Sequence, residues 1–173
     1  MKDMKWLVKA ARRGDTHAFA TLYETVYEDM YRYALYLLKR PEDAADAVSD
    51  AVTDAFAQMK QLKNPDAFKS WIFKILNHKC KQKMRDYVSE PVELTDEGLE
   101  RTTLVETPID QLDQLYVREL FDSLPALDRE IIGLHIFAGY TAREIAQLYG
   151  MNENTVRSRE SRALKKLRAQ LNM

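Results

Sequence analysis

Apolar residues recur along this chain at steps of three and four, and the rhythm stops once, between about Val88 and Asp110. A period near 3.6 requires helices with one buried stripe, and no alternating apolar run is long enough to add a sheet. The expected fold class is therefore all-α. Two small helical domains, residues 1–87 and 111–173, are joined by an acidic flexible linker, 88–110. That linker holds Pro91, Gly98 and Pro108, with the acids Glu90, Glu93, Asp96, Glu97, Glu100, Glu106 and Asp110 against Arg101. Its few apolar side chains cannot offset the entropy of ordering it, which leaves it a tether.

Local signals divide the domains into helices. Gly14 ends a first short helix, and Asp15 or Thr16 can cap the next, whose stripe runs Leu22, Val26, Met30, Tyr33 and Leu37. Pro41 suits the first turn of a further helix, where Glu42 and Asp43 favour its dipole. Ala44, Val48, Ala51 and Ala55 would face inward there. Asn64-Pro65-Asp66 breaks the pattern, and Phe68, Ile72, Ile75 and Leu76 then form one apolar face of a cationic helix. In the second domain the stripe passes through Leu112, Leu115, Leu120, Phe121, Leu124, Leu127, Ile131, Leu134 and Ile136.

The formal net charge of -1 conceals strong segregation. Phosphate is met by local patches, so segregation matters more than the total. Glu42, Asp43, Asp46, Asp50 and Asp54 form an acidic block; Asp46, Asp50 and Asp54 recur every four residues and share a face. That face is either solvated or fitted to a basic partner surface. From Lys60 to Arg85 the charges are cationic except Asp66, and Phe68, Trp71 and Phe73 are interleaved with Lys69, Lys74 and Lys81. Aromatic rings that stack on bases beside backbone-holding lysines suit single-stranded nucleic acid. Helical spacing assigns Ile72 and Phe73 to packing, gives Asn77 a polar role, and leaves Trp71 open between the two. Tyr23, Tyr27, Tyr31, Tyr33 and Tyr36 fit core residues with a wet hydroxyl better than a stacking platform.

The segment "TAREIAQLYGMNENTVRSR" has the grammar of a helix-turn-helix. Thr141 and Glu144 form a capping box, Gly150 permits a tight turn, and Asn152 can cap the second helix. Ala142, Ala146 and Val156 fall where the two helices cross. The second helix then presents Asn154, Thr155, Arg157, Ser158 and Arg162 near its N-terminal end, where arginines can bond guanine and the helix terminus favours phosphate. Arg159, Lys165, Lys166 and Arg168 continue the basic run. A solvated cationic helix is the plain alternative.

Composition excludes other classes. An apolar fraction of 46% in 173 residues is enough for real cores. The single cysteine, Cys80, makes no intramolecular disulfide and stands at no metal-ligand spacing, which fits a reducing cytoplasm. Trp6-Leu7-Val8 is too short for a signal peptide, and no apolar run approaches the ~20 residues that cross a bilayer. His17, His78 and His135 are scattered, and no glycine-rich phosphate loop occurs. The expectation is a soluble cytoplasmic protein without cofactor, metal or enzymatic activity. A stand-alone helix-turn-helix repressor or activator is the alternative function.

Together these residues resemble the extracytoplasmic-function (ECF) class of bacterial RNA polymerase sigma factors. "AFATLYETVYEDMYRYALYLL" with "PEDAADAVSDAVTDAF" resembles the core of that family's region two. "NPDAFKSWIFKILNHKCKQKMR" is similar to its promoter-melting, −10-reading segment, and "LPALDREII" leading into the helix-turn-helix to its region four. The resemblance implies a protein that joins core RNA polymerase and lends it promoter specificity, as an alternative factor responding to stress or the envelope. It implies that Asp46, Ser49, Asp50 and Asp54 dock on the clamp coiled coil of the largest subunit, although the family commonly has glutamine-glutamate at Ser49-Asp50. Lys63, Asn64, Phe68, Lys69, Trp71, Lys74 and Asn77 would meet single-stranded −10 DNA. Thr141, Asn154, Thr155, Arg157, Ser158, Arg159 and Arg162 would meet the −35 duplex; Asn154 is often glycine in the family. An anti-sigma factor is a further implied partner, and the acidic tether could enter the polymerase's RNA path.

Overall fold

The structure, a computed structural model, describes residues 3–89 and 119–171. All regular structure among these residues is helical, and the chain divides into two compact units. Most of the expected linker, together with Leu112 and Leu115, lies outside the described residues.

In the first unit, α1 (Met4–Arg12) starts at Asp3, whose carboxylate accepts the Lys5 N–H, and it buries Leu7, Val8 and Ala11. Gly14 turns the chain at φ 94°, and Asp15 caps α2 (Thr16–Glu24) by accepting the Ala18 N–H at 3.0 Å. The stripe expected to lie on one helix is shared by two, because the chain breaks before α3 (Tyr27–Leu38). The Thr25 hydroxyl donates to the Leu22 carbonyl at 2.6 Å, and Val26 leaves helical geometry at φ -123°. A side-chain bond of this kind competes with the helix ladder. Burial is nevertheless continuous across the break through Leu22, Val26, Met30 and Tyr33.

Helix α4 (Pro41–Gln58) has proline in its first turn and buries Ala44, Ala47, Val48, Ala51 and Ala55, the inner face expected from the sequence. Alanines on that face let α5 (Phe68–Ser89) approach closely. Helix α5 runs two residues past the boundary expected at 87 and buries Phe68, Ile72, Phe73, Leu76 and Cys80. Each large apolar side chain buried there stabilises the unit by about 1.5–3 kcal/mol relative to exposure. Asp46 pairs with Lys83 and Asp54 with Lys79, so α4 and α5 run antiparallel.

In the second unit, helical residues 119–122 (α6) precede α7 (Ala126–Ala138), α8 (Ala142–Tyr149) and α9 (Glu153–Leu171). Leu120, Leu124, Ile132, Ala163 and Leu167 form one cluster with Phe121 against it. Ile131, Leu134, Ile145 and Val156 are also fully buried. Ile136, placed on the stripe by sequence, is 54% exposed, and Ile132 fills the core instead.

Candidate nucleic-acid interface

The helix-turn-helix is built as its local signals require. The Thr141 side chain accepts the Glu144 N–H at 3.2 Å, and the Glu144 carboxylate accepts the Thr141 N–H at 2.8 Å. Gly150 ends α8 at φ 62°, and the Asn152 side chain accepts the Asn154 N–H at 2.8 Å as α9 begins. Val156 and Ala146 lie buried at the crossing.

With Val156, Ala163 and Leu167 inward, Asn154, Thr155, Ser158 and Arg162 occupy the opposite, exposed face of α9 at steps of one to four. Arg157 is also exposed and pairs with Glu153 along the helix at 2.5 Å. Thr141 is exposed but spends its hydroxyl on the capping box. Arg159 departs from the expectation. Its guanidinium turns inward to Asp128 of α7 at 2.8 Å, so it braces α9 against α7 and does not reach outward. Beside it, His135 Nδ1 lies 2.9 Å from the Tyr140 carbonyl and 3.3 Å from Glu160. Burial, then the nearby Glu144 carboxylate, pushes the Tyr140 phenol well above its usual range.

The first unit sorts its basic residues more severely. Phe68 and Asn77, expected on the DNA, are in the core at 2% and 3% exposure. Asn77 Oδ1 accepts the Tyr33 hydroxyl at 3.0 Å, so its polar role is internal. Ile72 and Phe73 are packed as expected, and Trp71 is half-buried with its ring 6.3 Å from that of Phe68. Lys69 reaches back to Asp29 at 2.8 Å. Lys63, Asn64 and Lys74 remain exposed, and Asn64 accepts the Asp66 N–H and so fixes the turn before α5. A cationic turn with one half-exposed aromatic is what the sequence's larger set becomes in three dimensions.

The acidic and basic blocks, separate along the chain, are partly closed on one another. The Asp46–Lys83 and Asp54–Lys79 pairs occupy two of the four residues expected on a protein partner, at 3.6 and 2.7 Å. Tyr87 at the end of α5 donates to Asp43; burial, then that contact, pushes its phenol up while Arg40 opposes. Ser49 and Asp50 stay exposed on α4. Ser49 also lines a groove of about 300 Å³ with Tyr23, Tyr27, Tyr31, Ala45, Val48 and Val52. Tyr27 is 47% exposed and Tyr23 and Tyr31 are half-buried, whereas Tyr33 is fully buried. The core assignment therefore holds for Tyr33 and fails for Tyr27. Spacing is a signal only for Tyr27 and Tyr31, which lie four apart on α3 and share a face; Tyr23 joins them from α2, across the break. Among the described residues no three metal-ligating side chains come together, and no helix is long and apolar enough to cross a membrane.

An α-helical front unit with a cationic turn and a rear unit with an exposed recognition helix define the two-part architecture of a promoter-reading factor. Family descriptions agree: Sigma-70 region 2 matches residues 22–89 and Sigma-70, region 4 matches residues 120–169. The chain belongs to the sigma-70 family of RNA polymerase sigma factors, in its ECF class. It is 33% identical over 150 residues to RNA polymerase sigma factor SigV of Bacillus subtilis, covering 83% of this chain and 85% of that one. It is 30% identical over 181 residues to ECF RNA polymerase sigma factor ShbA of Streptomyces griseus, covering 94% and 92%. In fold it is similar to sigma factor RpoE of Bartonella quintana, solved in complex with the anti-sigma factor NepR, with a TM-score of 0.74 and 24% identity over 90% of this chain and 97% of that one. This membership sets aside the stand-alone repressor or activator.

Proposed function

We propose that this chain binds core RNA polymerase in the bacterial cytoplasm and directs promoter-specific initiation through two DNA contacts, by binding alone. The observation that carries this reading is the pairing, on one chain, of an exposed α9 face (Asn154, Thr155, Ser158, Arg162) with a separate turn carrying Lys63 and Asn64 and, on the α5 that follows it, exposed Lys74. The first suits the major groove of an intact −35 duplex, where an arginine reads guanine. The second suits an opened −10 strand, whose extruded base costs a few kcal/mol to unpair and must be held. Tethering the two raises the effective concentration of the second once the first is engaged.

Ser49 with the tyrosine groove it lines, and exposed Asp50 next to it in the chain, are the surface we assign to the clamp coiled coil of the largest polymerase subunit. Hydroxyls at the rim of a half-apolar groove suit a protein partner, because tyrosine supplies contact area and hydrogen bonding at small entropic cost. Asp46 and Asp54 would join only by exchanging their lysine partners. An anti-sigma factor that covers these surfaces would keep the factor idle until a stress or envelope signal.

The test is purified core polymerase with this chain on a genomic promoter library, with transcript starts mapped. A distinct set of starts sharing two spaced elements is expected. Start sites identical to those of core polymerase alone, with no association between chain and polymerase, would refute the reading.

A further inference from the structure

Glu153 is an acid in the first turn of the helix that has to enter a phosphate-lined groove, and neither the fold nor the DNA contacts above need it there. Asn152 already starts α9: its side chain accepts the Asn154 N–H at 2.8 Å, and its carbonyl accepts those of Thr155 and Val156 at 3.0 and 3.2 Å. Among the described residues the Glu153 carboxylate has one side-chain partner, Arg157, at 2.5 Å. Exposed pairs four residues apart on a helix add little stability. A carboxylate close to phosphate, by contrast, repels it and cancels part of the helix dipole that would attract it.

The arginines at 157, 159 and 162 are held in three different ways. Arg159 is turned to Asp128 of α7, and that pair is largely covered, with side-chain exposures of 32% and 14%. Arg162 donates through Nε to the Ser158 carbonyl at 3.2 Å and has no acidic partner among the described residues. Arg157 is 66% exposed and its acid 37%, so this pair can be exchanged for another acceptor without opening the core. At about 100° per residue, Arg157 leaves the helix to one side of Ser158, at the rim of the row Asn154, Thr155, Ser158 and Arg162. A guanidinium at that rim meets the groove wall only once the row itself has seated on base edges.

We infer that Glu153 is a specificity-determining residue, which holds Arg157 off the DNA backbone at wrong sequences and yields it when the base-reading row seats on its own −35 element. On a mismatched duplex α9 stays shallow, the pair stays closed, and Arg157 adds nothing. On the matched duplex the guanidinium is carried to an acceptor of the DNA, which takes the place of the carboxylate. Discrimination rises because one cation's sequence-independent attraction is withheld from every other site. The inference rests on the proposed −35 reading and names the residue that sharpens it.

The experiment uses holoenzyme of core polymerase and the full chain. The probes are promoter duplexes taken from a mapped start, with the same −10 element and a −35 element either intact or scrambled. R157A should weaken binding to the intact duplex about fivefold or more and change the scrambled one far less, because there Arg157 is already withheld. E153Q should tighten binding to the scrambled duplex about fivefold and raise its log–log salt slope by about 0.9, the value of one added phosphate contact. The intact-to-scrambled ratio should fall accordingly. E153Q/R157A should return the scrambled duplex to the affinity and slope of the unaltered protein. Equal changes on the two duplexes, or an E153Q protein that binds the scrambled duplex no better, would overturn the inference. So would an E153Q protein that loses binding to both and melts earlier, since that would reduce Glu153 to starting the helix. If the unaltered holoenzyme does not tell the intact −35 element from the scrambled one, the proposed function fails, and this inference with it.

Discussion

The hydrogen bond between Tyr33 and Asn77 decides whether α5 is read as a DNA surface or as a core helix. Replacing Asn77 by leucine removes the acceptor of a hydroxyl that is 0% exposed and bonded at 3.0 Å. Stranding a buried polar group costs about 1–3 kcal/mol. In a unit of this size each kcal/mol lowers the melting midpoint by about 4–8 °C. Y33F removes the donor and should cost a similar amount, whereas Y33F/N77L removes both polar partners and should cost clearly less than the sum. Both tryptophans of the chain, Trp6 and Trp71, lie in this unit, so urea unfolding followed by tryptophan fluorescence reports it alone. A coupling energy of about 1 kcal/mol or more is expected. Additive single costs, or an N77L protein of full stability with altered −10 preference, would return Asn77 to the DNA and refute the packing argument.

Other consequences are as direct. R162A should lose about 1–3 kcal/mol of −35 binding with relaxed preference at one base position, measured on single-position promoter variants. R159A should destabilise the rear unit in thermal unfolding and weaken all those variants alike, because its partner is Asp128. G150A should cost about 1–2 kcal/mol by circular dichroism melting, since the added Cβ meets nothing within 4 Å and only the left-handed backbone resists. Stability should fall as pH rises through about 10. Below that value the Tyr140 phenol is neutral whether the chain is folded or not; above it the unfolded chain ionises first, because burial has raised the folded pKa. Y140F should flatten that alkaline slope in melts between about pH 9 and 11.

Much of the rear unit was legible in the sequence. The capping box of Thr141 and Glu144, the left-handed Gly150, the Asn152 cap and the buried Val156 are each specified by residues within a few positions of one another. Such features are local, so period and spacing suffice to read them. The exposed row of Asn154, Thr155, Ser158 and Arg162 follows from that period once Val156 is inward. The front unit was legible in its helices but not in its surface. The inner alanines of α4 were visible, while the Thr25–Val26 break was not, because Thr21 and Thr53 make the same kind of hydroxyl-to-carbonyl bond inside unbroken helices.

What the sequence by itself determined was the helical period, the caps and turns, the separation into two units, and the family. Tertiary structure alone decided which polar side chains are available. Asn77 turned into the core to Tyr33, Arg159 turned to Asp128, and Lys79 and Lys83 closed on Asp54 and Asp46. Each of those partners lies on another helix, tens of residues away. A helical repeat gives the direction in which a side chain leaves its own axis; it says nothing of which neighbouring helix stands there, or with what charge.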